Sequence, residues 1–133
     1  MRIDGACHCG LITYEADVDP EQVEICHCTD CQSFSGSAFR VVVPAAADKF
    51  LMAGEPTVYV KTAESGAKRV QTFCPRCGSA IYSTSSDSQP AWYNLRVGTI
   101  RQRNALSPRA QYWTRSAQQW VDGLAALPRR EKQ

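Results

Sequence analysis

Seven cysteines hold most of the chemistry available to this 133-residue chain. They fall in three clusters, Cys7-x-Cys9, Cys26-x-Cys28-x2-Cys31 and Cys74-x2-Cys77. Thiolates are soft ligands that suit zinc and iron–sulfur clusters. Cys74-Pro75-Arg76-Cys77-Gly78 has knuckle spacing, a turn that aims two sulfurs at one ion, with Pro75 pre-setting the bend. A disulfide framework uses cysteines in pairs, and seven is odd. Seven divides instead as four plus three. A closed structural zinc site takes four protein ligands, whereas a catalytic one keeps three and an open position. The contiguous triplet Cys26, Cys28 and Cys31 suits the open type. Cys7, Cys9, Cys74 and Cys77 would close the other and staple the N-terminal region to the middle of the chain. Spacing alone leaves two alternatives standing: a cysteine pair that exchanges partners, and iron in place of zinc.

Both histidines lie inside cysteine pairs, His8 between Cys7 and Cys9, and His27 between Cys26 and Cys28. Neighbours in an extended segment point to opposite faces, so flanking cysteines that face a metal turn the histidine away. The exception would be His27 completing a site of three cysteines and one histidine. Asp30, between Cys28 and Cys31, is placed to accept a proton or orient a substrate at the open site. It equally suits a helix start favoured by the dipole.

The elements that must position these residues read as β-structure. Short runs rich in β-branched and aromatic residues, at 11–16, 39–43, 50–52, 57–60, 70–73, 80–84 and 91–97, are punctuated by Gly and Pro roughly every ten positions. Phe39 to Val43 and Phe50 to Met52 read as separate strands either side of Pro44. Tyr82, Trp92 and Tyr93 read as core. One helical turn is expected over 29–34. A capping box at Ser116 and Gln119 predicts a short C-terminal helix over 116–127, with Trp120, Val121, Leu124 and Leu127 on the face laid against the sheet and Pro128 as its stop. The expected organisation is one domain over 1–127 and a disordered basic tail over 128–133.

The hydrophobic fraction of 44% can bury a core, and a net charge of +2 marks no polyanion binder. Charge is nonetheless uneven: residues 1–95 sum to −4 and residues 96–133 to +6. Arg96, Arg101, Arg103, Arg109 and Arg115 therefore form either a solvated face or a positive rim for a small anion. No stretch approaches the ~20 apolar residues of a membrane span. The first residues lack the apolar core of a signal peptide, so a soluble, cytoplasmic protein with reduced thiols is expected.

Three motifs in order carry a family resemblance. Gly5-x-Cys7-x-Cys9-Gly10-x-Ile12-x-Tyr14, then Cys26-His27-Cys28-x-Asp30-Cys31 followed by Ser35-Gly36-Ser37-x-Phe39, then Phe73-Cys74-Pro75-x-Cys77-Gly78-Ser79 resemble the glutathione-dependent formaldehyde-activating enzyme family, which includes the centromere protein V type domain. The resemblance implies an all-β, zinc-bound fold of small antiparallel sheets. It further implies a structural zinc on Cys7, Cys9, Cys74 and Cys77 and a catalytic zinc on Cys26, Cys28 and Cys31. The implied activity is carbon–sulfur chemistry, addition of glutathione to formaldehyde, formally a carbon–sulfur lyase. The chain departs from the family pattern late: Arg101 follows where an acidic residue is frequent, and Arg109-Ala110-Gln111 follows Pro108 where a histidine is frequent.

A free thiol is mostly protonated at neutral pH, with a pKa of about 8.5. A coordinating one is deprotonated outright, which gives an open zinc site a means to present a thiolate to a polarised carbonyl. The expected function is thus a two-zinc carbon–sulfur lyase acting on a small thiol such as glutathione. Its rivals are a non-catalytic zinc module binding a partner or nucleic acid, disfavoured by weak charge and missing stacking motifs, and a thiol-redox protein.

Overall fold

The computed structural model describes residues 1–133. Nine strands run in the order β1 (Arg2–Ala6), β2 (Thr13–Val18), β3 (Glu24–Cys26), β4 (Arg40–Ala53), β5 (Thr57–Thr62), β6 (Lys68–Phe73), β7 (Ala80–Ser85), β8 (Trp92–Arg96) and β9 (Ala110–Tyr112). The α-helix is α1 (Thr29–Ser35), and five 3-10 segments make up the rest of the helical structure. The ladders connect in the order β1-β2-β4-β8-β7-β6-β5, with β3 pairing β4 and β9 off that path. All pairings are antiparallel except β3 with β9. The all-β reading holds. No helix is long and apolar enough to cross a membrane.

Alternation drives the folding of the N-terminal half. In β2, Tyr14, Ala16 and Val18 are buried while Thr13, Glu15 and Asp17 face solvent, the period-2 pattern of a strand with one covered face. These residues join Ile3, Ile12, Val23, Val43, Ala45, Ile81, Leu95 and Ile100 in one core cluster that also contains Cys7 and Cys74.

β4 differs from the two strands expected around Pro44. It is one strand of 14 residues. Arg40–Val42 pair with β3, and from Ala45 onward the same strand pairs with β2. Pro44, which has no N–H to give, lies in the gap between the two partners, where a missing donor costs the ladder least.

The C-terminal segment is helical but as a 3-10 run, Gln119–Ala126, rather than an α-helix begun at Ser116. The residues just before the run are tied to Gln32. Ser116 ends a separate 3-10 turn and its carbonyl accepts from Gln32 Nε2 at 3.0 Å. Gln118 donates to Gln32 Oε1 at 3.1 Å and accepts from the Trp120 indole at 2.7 Å. Trp120, Leu124 and Leu127 consequently remain exposed, with Val121 alone half-buried. Tyr82 and Tyr93 pack edge-on against each other, with Phe50 close to both. Trp92, expected in the core, is exposed.

Candidate functional site

The sulfurs gather into two groups, Cys7, Cys9, Cys74 and Cys77, and Cys26, Cys28 and Cys31, each with its donor atoms within 4.8 Å of one another. All seven cysteines are free of disulfides.

The four-sulfur group forms where two turns meet. One follows β1 and the other joins β6 to β7. In the first, Gly10 N–H donates to Cys7 O and Ile12 N–H donates to Cys7 Sγ. In the second, Gly78 N–H donates to Cys74 O, and Cys74 N–H to Ser79 O. Gly10 and Gly78 occupy matching positions with φ of 79° and 75°, left-handed values that glycine adopts without strain. Ser79 ties the turns together, since its hydroxyl accepts from His8 N–H at 3.1 Å and sits 3.3 Å from Cys77 Sγ. Cys7 to Cys9 is 3.6 Å and Cys9 to Cys74 is 3.7 Å. A tetrahedron with zinc–sulfur bonds of about 2.3 Å has edges of roughly 3.8 Å, so the spacing fits a single ion.

The sulfurs and their hydrogen-bond partners perturb one another. The Ser79 hydroxyl and N–H draw Cys77 down to about 5. Against a backbone hydrogen bond at Leu11, burial and the neighbouring sulfurs push Cys9 up to about 11. Adjacent thiolates resist sharing one small volume, and a bound dication removes that resistance.

The three-sulfur group is built at the junction of β3 and α1. Cys26 ends β3 and Cys28 caps the helix, accepting from Cys31 N–H at 3.3 Å. Cys31 lies buried in the first turn. Burial pushes its thiol up, against the nearby Arg40 charge. Burial also works against ionisation of Cys28, but hydrogen bonds with Cys31 and Cys26 and the Lys61 charge outweigh it and leave Cys28 below the usual thiol range. The soft donor set suits zinc or iron. No histidine or carboxylate completes it as a fourth donor. His27 turns away, fully buried, with Nε2 2.8 Å from Gln111 Oε1 and its ring edge-on to Phe39. That arrangement excludes the alternative in which His27 completes the set. His8 is exposed.

A cavity of about 600 Å³ opens against this second group. Its floor follows from strand register: Gln71, Ser83 and Asn94 are partners across β6, β7 and β8, which sets a polar row on one face. Lys61 and Arg69 are partners across β5 and β6. Arg40 is opposite Cys26 in the β3–β4 ladder. All six line the cavity, as do Cys26, Cys28, Cys31 and Asp30. Lys61 Nζ donates to Asp30 Oδ2 at 2.5 Å. Trp113 stands at the rim with φ of 57°, the one non-glycine residue in the left-handed region, a strained conformation that concentrates at functional sites.

Behind the floor, Arg96 is buried. Its Nη2 and Arg40 Nη1 both donate to Gln71 Oε1, at 2.8 and 3.0 Å. Burial, then the Arg40 charge, draws Arg96 down to about 9, while Cys31 and Cys26 act in its favour.

Of the two readings of the late arginines, the solvated face holds and the positive rim around the cysteines does not. Arg101 pairs with Asp4 and Arg109 with Glu21 on the surface, and Arg103 and Arg115 are exposed. Apart from Arg96, the cations near the thiols, Arg40, Lys61 and Arg69, come from the first ninety-five residues. The one signal that could have found them was Arg40, a charge interrupting the apolar run from Phe39 to Val43.

Comparison with known proteins agrees with this architecture. A sequence model described as "Glutathione-dependent formaldehyde-activating enzyme" matches residues 2–116. No curated protein matches significantly. Among solved structures, a crystal structure of a Rhodobacter sphaeroides protein superposes with a TM-score of 0.61 at 18% identity, covering 81% of this chain and 98% of that one. That similarity supports the fold.

Proposed function

The chain belongs to the glutathione-dependent formaldehyde-activating enzyme family, and from that premise we propose that it is a zinc-dependent carbon–sulfur lyase joining a glutathione-like thiol to an aldehyde. Residues 1–127 form the catalytic domain in this reading, with 128–133 as a basic tail. Cys7, Cys9, Cys74 and Cys77 hold a structural zinc; Cys26, Cys28 and Cys31 hold a second, catalytic one. The reading places the protein in a reducing, cytoplasmic compartment, where the seven thiols stay available to metal.

The observation that carries the proposal is the three-sulfur group facing a cavity large enough for a small thiol and an aldehyde. Zinc bound there would supply Lewis acidity and a coordination position for sulfur or oxygen. The remaining work falls to the chain. In the net reaction the thiol sulfur forms a bond to the aldehyde carbon, the carbonyl π pair moves to oxygen, and that oxygen takes up the proton lost by the thiol. The polar floor of Gln71, Ser83 and Asn94 offers hydrogen bonds to hold the two reactants together. Asp30, anchored by Lys61, is an acceptor for the travelling proton or for the new hydroxyl.

The test is direct. Purified protein is assayed for zinc per chain, and glutathione is mixed with ¹³C-formaldehyde while the exchange between free and S-hydroxymethyl carbon is followed by NMR. Two zincs and exchange faster than the uncatalysed background are expected. A fully metallated protein that leaves the exchange rate at background would refute the reading.

A further inference from the structure

The cavity contains a charge arrangement that a thiol and formaldehyde leave unused. Arg40 and Arg96 share one neutral acceptor, Gln71 Oε1, and neither forms an ion pair with a carboxylate. Their Nε atoms are buried without hydrogen-bond partners. Such groups are costly to keep in a protein interior and normally find partners. Three thiolates with one dication would carry a single negative charge, against the two positive charges of the guanidiniums. The Lys61–Asp30 pair is internally balanced. Arg69 and Glu64, both exposed at the same cavity, also cancel, so the balance remains positive by one charge beside the cysteines.

The two arginines also differ in access. Arg96 is buried behind the floor, whereas Arg40 is partly exposed and lines the cavity. Arg40 Nη1 is committed to Gln71, while Nη2 has no protein hydrogen bond and is not buried. Register places Arg40 directly across from Cys26, so its side chain and the cysteine's rise from the same face.

Building on the thiol-site reading above, we infer that Arg40 determines specificity by binding a carboxylate carried by the thiol substrate. Gln71 positions the guanidinium and Arg96 reinforces its field from behind. With Nε buried and one Nη1 hydrogen given to Gln71, Nη2 and the second Nη1 hydrogen remain as donors that match a carboxylate. A carboxylate on Arg40 supplies the negative charge that this balance lacks.

Calorimetric titration of the zinc-loaded protein separates the two ideas, using 3-mercaptopropionate, its neutral amide 3-mercaptopropionamide, and propionate. Wild-type protein should bind the mercapto acid at least about tenfold more tightly than the amide, the scale of a charge-assisted contact. Arg40→Met should bring that ratio close to one at unchanged zinc content, and Arg40→Lys should retain part of it. A wild-type ratio of one, or a ratio that survives in Arg40→Met, overturns the inference. The thiol reading has its own arm: mercapto acid should exceed propionate in affinity, and Cys28→Ser should abolish the excess. Loss of that excess in wild type would overturn the thiol reading while the carboxylate-to-amide ratio still judged Arg40. Should Arg40→Met fail to fold, Arg40→Lys decides alone: an undiminished ratio would show that guanidinium geometry is not what recognises the carboxylate.

Discussion

The two cysteine groups use the same ligand in opposite surroundings. Cys7 and Cys74 belong to the hydrophobic core, with Cys9 and Cys77 packed against it. Their polar partners are backbone N–H groups and the Ser79 hydroxyl. The second group instead faces a cavity lined by Arg40, Lys61, Arg69, Asp30 and Glu64. The first joins segments 65 residues apart; the second spans only Cys26 to Cys31. An ion that closes a long chain segment inside a core acts on folding. An ion at a short segment beside a charged cavity has little chain to restrain and open space in front of it.

The strongest way to break this contrast is Cys74→Ser. Metal-binding free energy at structural zinc sites is folding free energy, roughly 10–16 kcal/mol in small zinc peptides, as large as the whole stability of a typical domain, about 5–15 kcal/mol. The variant should lose its cooperative thermal transition and both metals. A folded Cys74→Ser protein with a near-normal transition would place this group outside the folding core. Cys28→Ser should behave in the opposite way. Serine is itself a favoured helix N-cap, so α1 keeps its start. One metal and all turnover should be lost, while Tm moves by less than about 5 °C, equivalent to about 1 kcal/mol. Paired calorimetry and zinc analysis on the two variants read the contrast directly.

How much of this was legible beforehand depends on sequence distance. The division into four and three sulfurs could be argued from cluster spacing, because each knuckle is local. The β run at 11–16 was legible as well, whereas the inward face of Tyr14, Ala16 and Val18 is a finding of the fold. The orientation of His27 followed from alternation in an extended segment. Register supplied what was hidden. Lys61 meets Arg69, and Arg40 meets Cys26, only after strands distant in sequence have paired, and no motif marks them. The late arginines drew attention as a charge excess, yet Arg101 and Arg109 are spent on surface pairs with Asp4 and Glu21. Pro44 misled because a proline read locally ends a strand, whereas here it falls between two pairing partners of one strand. At the C-terminus the Ser116 carbonyl and the Gln118 amide are held by Gln32, and the helical run starts only at Gln119, past the serine that local grounds made its cap.

A smaller effect separates the groups through their polar support. Ser79 bridges the two knuckles of the four-sulfur group and does not line the thiol cavity. Partners that orient metal ligands are typically worth ten- to a hundredfold in metal affinity, about 1.4–2.7 kcal/mol. Ser79→Ala should therefore release one zinc earlier in a chelator titration and leave the other unaffected. Equal weakening of both metals would show that the groups are coupled rather than independent.

At neutral pH the smallest effect on the four-sulfur side concerns how strictly the core excludes charge. Tyr14 is buried in the same cluster as Cys7 and Cys74, with its hydroxyl 2.7 Å from Thr99 Oγ1. Burial pushes its pKa from 10.0 up to about 12, against that hydrogen bond. Below pH 10 the phenol is neutral in both the folded and unfolded chain, so its ionisation contributes no pH dependence. Between pH 10 and 12 the unfolded chain ionises first and the folded state loses stability, by up to about 2–3 kcal/mol across two pH units. Tyr14→Phe has no such proton to lose. At pH 7 the variant should be less stable by about 1 kcal/mol for the missing hydrogen bond. As pH rises through 10 the two stability curves should converge and then cross, which urea unfolding at pH 8, 10 and 11.5 would resolve. A gap that stays constant with pH would mean that the folded protein accepts a phenolate here, and that the core around the four sulfurs tolerates charge as the cavity around the three does.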